Sequence, residues 1–407
     1  MINVGLDLGN SKISCIVCDI NSKGQIKPLS FVSRPSGGIK KNIISDLSKI
    51  KKDILEVLSK ASKESQTEIA SIRLNVSIVN SVTNYIDKEI SISNEKISDL
   101  HLKKIINESN ILDSVDKHKV IHRSIINYEL DNQTNIIDPR GMFGDKLKIF
   151  FYKLSINENN IKTLKAIFEE LNIQIEDLIP TPLSSALATL NKDEKELGSI
   201  SIDLGAGSTS ISVFENNNLI FLDAIPIGGN HITTDIARGV STDIESAERL
   251  KTLYGSVLTN PSDDFELIDV NVPGTSSNES NQINSSQLNS IIKPRVEETL
   301  ELVRQRLKDY NLDKKPIRNL ILTGGGSLLE GIEEYAQIIF DSKTRISEPI
   351  QLFNLSKKFN KPQFSQTIGL MLYKKNENQF RLLTENNKKI EKNSVLSRFS
   401  SWLDQYI

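Results

Sequence analysis

Residues 201–214 read SIDLGAGSTSISVF, and near the start of the chain residues 4–17 read VGLDLGNSKISCIV. Each is an apolar run that ends in Asp-Leu-Gly, passes through small polar residues and resumes as a second apolar run. The pattern predicts strand, tight turn, strand in both places. One such phrase is an ordinary hairpin turn. Two in the same context predict duplicated α/β halves facing each other across a cleft, the usual location of a ligand site.

Composition bounds the rest. With 407 residues the chain is too long for one ordinary core, so two or more domains are expected. A formal net charge of -2, with acids and bases interspersed, gives no argument for a nucleic-acid groove. Met1 runs straight into the strand pattern INVGLDLG, so no signal peptide is expected, and folding in the cytoplasm follows. No apolar run reaches the length of about eighteen residues that would suggest a membrane span. Cys15 and Cys18 are the two cysteines, which excludes a disulfide framework. With His118 and His122 they imitate a zinc pattern, but zinc fingers separate the two pairs by roughly a dozen residues, far fewer than here. In the strand-like KISCIVCDI, residues three apart point to opposite faces, so core thiols are expected.

Working outward, SDLSKIKKDILEVLSKASKES places Leu47, Ile50, Ile54, Leu55 and Leu58 at helical spacing, and SIRLNVSIV reads as a buried strand. From residue 80 to 155 the texture changes to an α+β insertion, with the strands VIHRSIINYEL and LKIFFYKLSI flanking a helical segment around DLHLKKIINESNIL. Residues 262–290 hold the Ser- and Asn-rich PGTSSNESNQINSSQ, expected as a hairpin tip, and SIIKPRVEETLELVRQRLKDYN reads as a long amphipathic helix.

The turns of the repeated phrase suit an anion. Gly9, Gly205 and Gly207 let backbone N–H groups come close, with the hydroxyls of Ser11, Ser208 and Thr209 beside them. Asp7 and Asp203 would repel a phosphate unless a Mg²⁺ lay between, held mostly through water. Lys12 adds a point charge for the outer phosphates. A third element, NLILTGGGSLLEGI, is a strand followed by three glycines, with a helix expected to open at about Ser327. The two matching turns predict that each grips one side of one nucleotide phosphate chain, with the glycine triplet as a third wall.

These residues resemble the actin/Hsp70/sugar-kinase superfamily, and within it the chain is most similar to the FtsA family of bacterial cell-division proteins. The resemblance runs almost end to end, through DLGNSK, SGGIKKNIISDL, ELGSISIDLGAGSTSISVF, IPIGGNHITTDIARG, ESAERLKTLYG, IIKPRVEETLEL, ILTGGGSLLEG and TIGLMLY. It implies an actin-like two-domain fold with duplicated nucleotide-binding halves, an inserted 1C subdomain and a C-terminal amphipathic helix. The implied division is domain 1A at 1–79, 156–196 and 361–377, with the 1C insertion at 80–155. Domain 2A takes 197–226 and 304–360, subdomain 2B takes 227–303, a linker takes 378–392 and the membrane-targeting helix takes 393–407.

By the same resemblance, Asp7, Gly9, Asn10, Ser11 and Lys12 form the first phosphate motif and Asp203, Gly205, Gly207, Ser208 and Thr209 the second. Gly324, Gly325, Gly326 and Ser327 form the adenosine loop, and Gly228, Gly229 and Asn230 line the cleft. Glu248 and Lys251 reach the ribose and base; the alternative for that pair is a solvated helix face. ATP and Mg²⁺ are the implied ligands, with Asp7 and Asp203 on the metal side. Actin-like hydrolases orient the attacking water with a Gln or Glu near the first connecting helix. Here LIPTPLSSALATL offers Thr181, Ser184 and Ser185, none a good base. Asp203 could align a water but is occupied by the metal, so slow or negligible turnover is expected.

In NSVLSRFSSWLDQYI, residues 393–407, Val395, Leu396, Phe399, Trp402, Leu403, Tyr406 and Ile407 fall within an arc of roughly 140° on a helix. The aromatics and the polar tether before them favour a membrane interface over a helix docked on the protein's own core. The resemblance implies a polymer subunit on the cytoplasmic face of the cell membrane. Its partners are itself, membrane lipids, later division proteins and the FtsZ C-terminal peptide, for which Lys293 and Arg295 are the candidate contacts. The alternative for these two is a helix-start pair facing water. The competing readings are a PilM-like pilus-assembly protein, whose family lacks the terminal helix, and a small-molecule kinase, which needs a catalytic carboxylate and an acceptor pocket.

Overall fold

Both Asp-Leu-Gly phrases form hairpins in the computed structural model, which describes residues 1–109, 114–115, 117–258, 260–270, 281–313, 315 and 319–374. Strand β1 (Ile2–Leu8) turns into β2 (Lys12–Ile20), and β3 (Ile26–Pro35) extends the meander. A short hairpin of β4 (Ile39–Lys40) and β5 (Ile43–Ile44) leads to α1 (Leu47–Ser65) and β6 (Ser71–Val76). Asp46 caps α1 by accepting from the Lys49 amide; Ile50, Ile54, Leu55 and Leu58 are buried as the spacing predicts, whereas Leu47, in the first turn, is exposed.

The insertion follows: β7 (Val82–Lys96), α2 (Asp99–Ser109), β8 (Ser114–Val115), β9 (His118–Leu130), β10 (Gln133–Ile136) and β11 (Phe143–Asn157). Its sheet runs β10-β9-β11-β7, with β8 on β9. The expectation of a helix flanked by β9 and β11 is corrected here. The 15-residue β7 precedes the helix, and both other strands follow it. Most of β7 is exposed, so its polar residues hide the strand alternation.

The chain then returns to the first half through α3 (Glu158–Glu170), β12 (Gln174–Pro180) and α4 (Thr181–Thr189). The first sheet is ordered β12-β6-β1-β2-β3, antiparallel from β1 to β3 and parallel from β1 to β12. After α5 (Lys192–Leu197) the second half opens with β13 (Ser199–Leu204), β14 (Thr209–Glu215) and β15 (Asn218–Ile225). Next come α6 (Gly229–Gly239), α7 (Ile244–Tyr254), the hairpin β16 (Leu267–Val270) and β17 (Asn281–Asn284), and α8 (Ser285–Asp309). Strand β18 (Asn319–Thr323), α9 (Ile332–Phe340) and β19 (Lys343–Ile346) complete it, and α10 (Ser365–Leu372) returns to the first half, packing on α4 and β1. The second sheet, β15-β14-β13-β18-β19, repeats the pairing of the first strand for strand.

Helices α4 and α10 cross where the halves meet. A Cβ on Gly369 would lie 1.7 Å from the Ser184 carbonyl oxygen, so only glycine permits this approach. Apolar residues of both sheets, including Leu6, Leu74, Leu222 and Ile321, share the core around them. Cys15 and Cys18 are buried in that core, and loss of hydration pushes the Cys18 thiol up to about 12 and Cys15 higher still. The insertion, although threaded through the first half, rests on the second. Tyr85 Oη donates to the Ile220 carbonyl at 3.1 Å, and Asn218 Nδ2 donates to the Ile126 carbonyl at 3.0 Å. Among the described residues no helix is long and apolar enough to cross a membrane. The expected hairpin tip at 271–280, the linker at 378–392 and the helix at 393–407 lie outside the described residues.

Candidate functional site

The two turns are the same local structure. Gly9 N donates to the Lys12 carbonyl and Gly205 N to the Ser208 carbonyl, each at 3.0 Å. A Cβ on either glycine would meet that same carbonyl oxygen at 2.8 Å. Asp7 faces Ser14 across its hairpin as Asp203 faces Ser210. The tips also touch each other, since a Cβ on Gly207 would lie 2.3 Å from Asn10 Cγ.

Beneath the tips the aspartates are joined by side chains that the sequence reading did not single out. Asp7 Oδ1 accepts from Asn75 Nδ2, and Asp7 Oδ2 accepts from Thr367 Oγ1 at 3.2 Å. Asn75 Nδ2 also donates to Gln366 Oε1 at 3.3 Å, and Gln366 Nε2 donates to Asp203 Oδ2 at 2.9 Å. A chain of amides therefore links the two carboxylates across the halves. Burial pushes Asp7 up to about 6, with Asp203 adding to the rise while Lys12, Thr367 and Asn75 oppose it. Burial also raises Asp203, against the pull of Gln366, Lys12 and Ser185. The Ser185 hydroxyl points to the Thr181 and Pro182 carbonyls, so buried Asp203 Oδ1 accepts no hydrogen bond of good geometry.

Two dehydrated carboxylates, one with an orphaned oxygen, are suited to a divalent cation held partly through water. Lys12 lies with its ammonium 5.4 Å from the Phe364 ring centroid and acts on both aspartates. Thr181, Ser184 and Ser185 all donate to backbone carbonyls.

Glycines form the rear of the second turn. A Cβ on Gly228 would lie 2.5 Å from the Gly205 carbonyl oxygen and 2.8 Å from the Ser208 nitrogen. Gly229 N and Asn230 N donate to the Gly205 and Ala206 carbonyls, which fastens the start of α6 to the turn. Lys251 Nζ donates to Glu248 Oε2 at 2.6 Å, to Thr233 Oγ1 at 2.8 Å and to the Gly229 carbonyl at 3.2 Å, so the pair braces α7 on α6.

The triplet adds a third wall. Gly324 has φ 83, and a Cβ there would meet Asp203 Oδ1 at 2.3 Å. Ser327 Oγ donates back to the Gly324 carbonyl at 2.8 Å. The helix expected at about Ser327 is not there. A 3₁₀ turn spans Gly325–Leu328 and α9 opens at Ile332, because Glu330 bridges to Ser256 and Gly331 takes φ 77. No α-helix N-terminus therefore faces the site from Ser327.

The space between Gly205, Gly229, Gly326 and the apolar side chains of α8 is about 30 Å³. A groove of about 610 Å³ lies away from the aspartates, between β3 and residues 354–364. Its size carries no chemistry, whereas the buried aspartates do. On α8, Lys293 lies over the Tyr335 ring, and Arg295 is paired with Asp235 (Nε to Oδ2, 2.6 Å) and with Glu298. Val395, Leu396, Phe399, Trp402, Leu403, Tyr406 and Ile407 lie outside the described residues.

The sequence profile described as "Cell division protein FtsA" matches residues 200–369, and that described as "SHS2 domain inserted in FTSA" matches residues 80–154. The cell division protein FtsA of Rhizobium meliloti (strain 1021) is 31% identical over 379 residues, covering 90% of this chain and 86% of that relative. The chain belongs to the FtsA family. FtsA of Escherichia coli (strain K12) is 27% identical over 98% of this chain and 97% of its own length. The chain is thus a cell-division protein.

Among solved structures, the PilM-PilN type IV pilus biogenesis complex superposes with a TM-score of 0.61 at 14% identity, covering 91% of this chain and 97% of that one. MreB5 of Spiroplasma citri bound to ADP superposes with a TM-score of 0.52 at 13% identity, covering 91% and 94%. These likenesses establish the actin-like fold that the resemblance implies. The PilM likeness is one of fold, while the sequence match is to FtsA.

Proposed function

We propose that this FtsA-family chain binds ATP and Mg²⁺ between its paired turns and polymerises on the cytoplasmic face of the cell membrane. There it ties the FtsZ ring to the lipid and recruits later division proteins. The observation that carries the reading is the two-fold repetition itself. Asp7 and Asp203 stand at the same register of two matching turns, both buried, and Asp203 Oδ1 is short of a hydrogen bond.

When bound, the magnesium-nucleotide supplies the positive charge these carboxylates lack and the phosphate oxygens that glycine-rich turns can approach. Gly9, Asn10, Ser11 and Lys12 would hold one side of the phosphates, and Gly205, Gly207, Ser208 and Thr209 the other. Gly324, Gly325, Gly326 and Ser327 would close the third wall, with Gly228, Gly229 and Asn230 behind the second turn and Glu248 and Lys251 toward the sugar and base. Thr181, Ser184 and Ser185 all hold backbone carbonyls, and none is a good base. We therefore propose that the nucleotide acts as a structural ligand with slow turnover.

The division into 1A, 1C, 2A and 2B is part of the same reading. On subdomain 2B, Lys293 and Arg295 are the proposed contacts for the acidic and apolar FtsZ peptide, and Arg295 would have to leave Asp235 to serve. Residues 393–407 are the proposed lipid contact. Calorimetric titration with ATP and Mg²⁺ should give saturable binding that Asp203→Asn abolishes. Absence of binding by the folded wild type would sink the nucleotide reading. In vesicle sedimentation, Trp402→Glu should leave the chain in the supernatant, and unchanged recruitment would rule out the membrane role.

A further inference from the structure

The hairpin of β4 and β5 belongs to the first half, yet its tip reaches the turn of the second. Ile39 pairs with Ile44 and Lys40 with Ile43, leaving the two-residue loop Lys41-Asn42. Both loop residues have positive φ, 50 and 62, the signature of a type I′ turn, in which glycine fits the second place best. Asn42 occupies that place, and its N–H and carboxamide engage the facing turns. Its backbone N–H donates to Asn10 Oδ1 at 2.9 Å. Its Oδ1 accepts from Asn10 Nδ2 at 2.5 Å and from Ser208 Oγ at 3.2 Å. Its Nδ2 donates to the Gly207 carbonyl at 3.1 Å.

The base of the hairpin is firmly held. The Gly38 carbonyl accepts from the amides of Ser45 and Asp46 at the start of α1, and Ser36 N donates to the Ser11 carbonyl. Ile39 is buried and Ile44 packs on the first core. A rigid arm thus presents one carboxamide to both tips at once. These bonds close the tips of the two turns on each other. Parting them breaks the Asn42 bonds to Gly207 and Ser208.

We propose that Asn42 is a latch of the nucleotide site, a positioning residue that holds the two phosphate turns together and sets how long a bound nucleotide is retained. The inference rests on the nucleotide reading above, but the latch itself can be read without ligand. Asn42→Gly keeps the turn, which glycine favours, and removes the carboxamide. Lys41→Gly eases the neighbouring backbone and leaves the Asn42 bonds in place.

In the full-length protein without nucleotide, amide hydrogen exchange over residues 9–12 and 205–209 should rise about tenfold in Asn42→Gly, the equivalent of about 1.4 kcal/mol, and stay unchanged in Lys41→Gly. Labelled ATP, bound with Mg²⁺ and chased with unlabelled ATP, should leave Asn42→Gly about tenfold faster than wild type. Unchanged exchange in Asn42→Gly overturns the latch, even if the wild type binds no ATP and the nucleotide reading falls with it. Faster exchange with an unchanged rate of ATP release overturns the role in retention.

Discussion

Asp7 and His122 are buried ionisable groups that pull the pH dependence of stability in opposite directions. The Asp7 carboxyl sits at about 6 against its ordinary 3.8, so the folded chain takes up this proton more readily than the unfolded chain. The stability this contributes is fully present below pH 3.8 and is lost as pH rises through about 6, at most about 3 kcal/mol. His122, in the insertion, is lowered by burial from 6.5 to about 4. Its contribution is present above pH 6.5 and is lost as pH falls through about 4, again at most about 3 kcal/mol.

Between these limits the two slopes oppose each other. Asp7→Asn should therefore expose the acid loss from His122 and raise the melting temperature of the nucleotide-free protein at pH 7.5. His122→Phe should make stability grow as pH falls from 6.5 to 4. Thermal unfolding of the three proteins at pH 4.5, 6 and 7.5 checks both. A wild type and Asp7→Asn with parallel profiles would show that Asp7 is not dehydrated.

At the scale of elements, the crossing of α4 and α10 is the tightest glycine approach among the described residues. Gly369→Ala places a methyl group against the Ser184 backbone, which cannot move without shifting the whole helix. Overpacking of this kind should destabilise the chain by about 3 kcal/mol, measured by denaturant unfolding. Ala186→Gly on the other helix should cost only the about 1 kcal/mol of helix propensity plus a lost buried methyl.

This crossing was not read from the sequence. The paired strands were, because Asp-Leu-Gly between apolar runs is a local pattern. The face of α1 was, because helical spacing is local too. Asn75 and Gln366 were not, because their meeting with Asp7 and Asp203 depends on a helix near residue 366 closing on strands from the other end of the chain. Strand β7 escaped for a different reason: its faces are mostly wet, so burial never imposed an alternating pattern on its residues. The helix expected at Ser327 failed because tertiary pairing of Glu330 with Ser256 overrode a glycine-to-helix pattern.

At the scale of the whole molecule, the insertion touches β15 through few polar bonds and a group of aromatic rings. The Tyr85 ring stands 6.3 Å from Tyr152 and 6.2 Å from Tyr310, and Phe221 lies 4.8 Å from Tyr310. Tyr85→Phe keeps these rings and removes one hydrogen bond, about 1 kcal/mol, so it should leave the junction closed. Tyr85→Ala should open it, seen as faster hydrogen exchange in β9 and β15 with β1 and β13 unaffected. Equal protection in both variants would show that the rings carry nothing there.

The placement of Tyr85 has a mechanical corollary. An appendage rooted in one lobe and leaning on the other is a lever whose fulcrum is the α4–α10 crossing. Any swing of the lobes would shift Tyr85 and Ile126 against β15, and a load pulling on the insertion would exert a torque on the lobes in return. In the polymer proposed above, tension along a row of such subunits would thus reach the aspartates of each one.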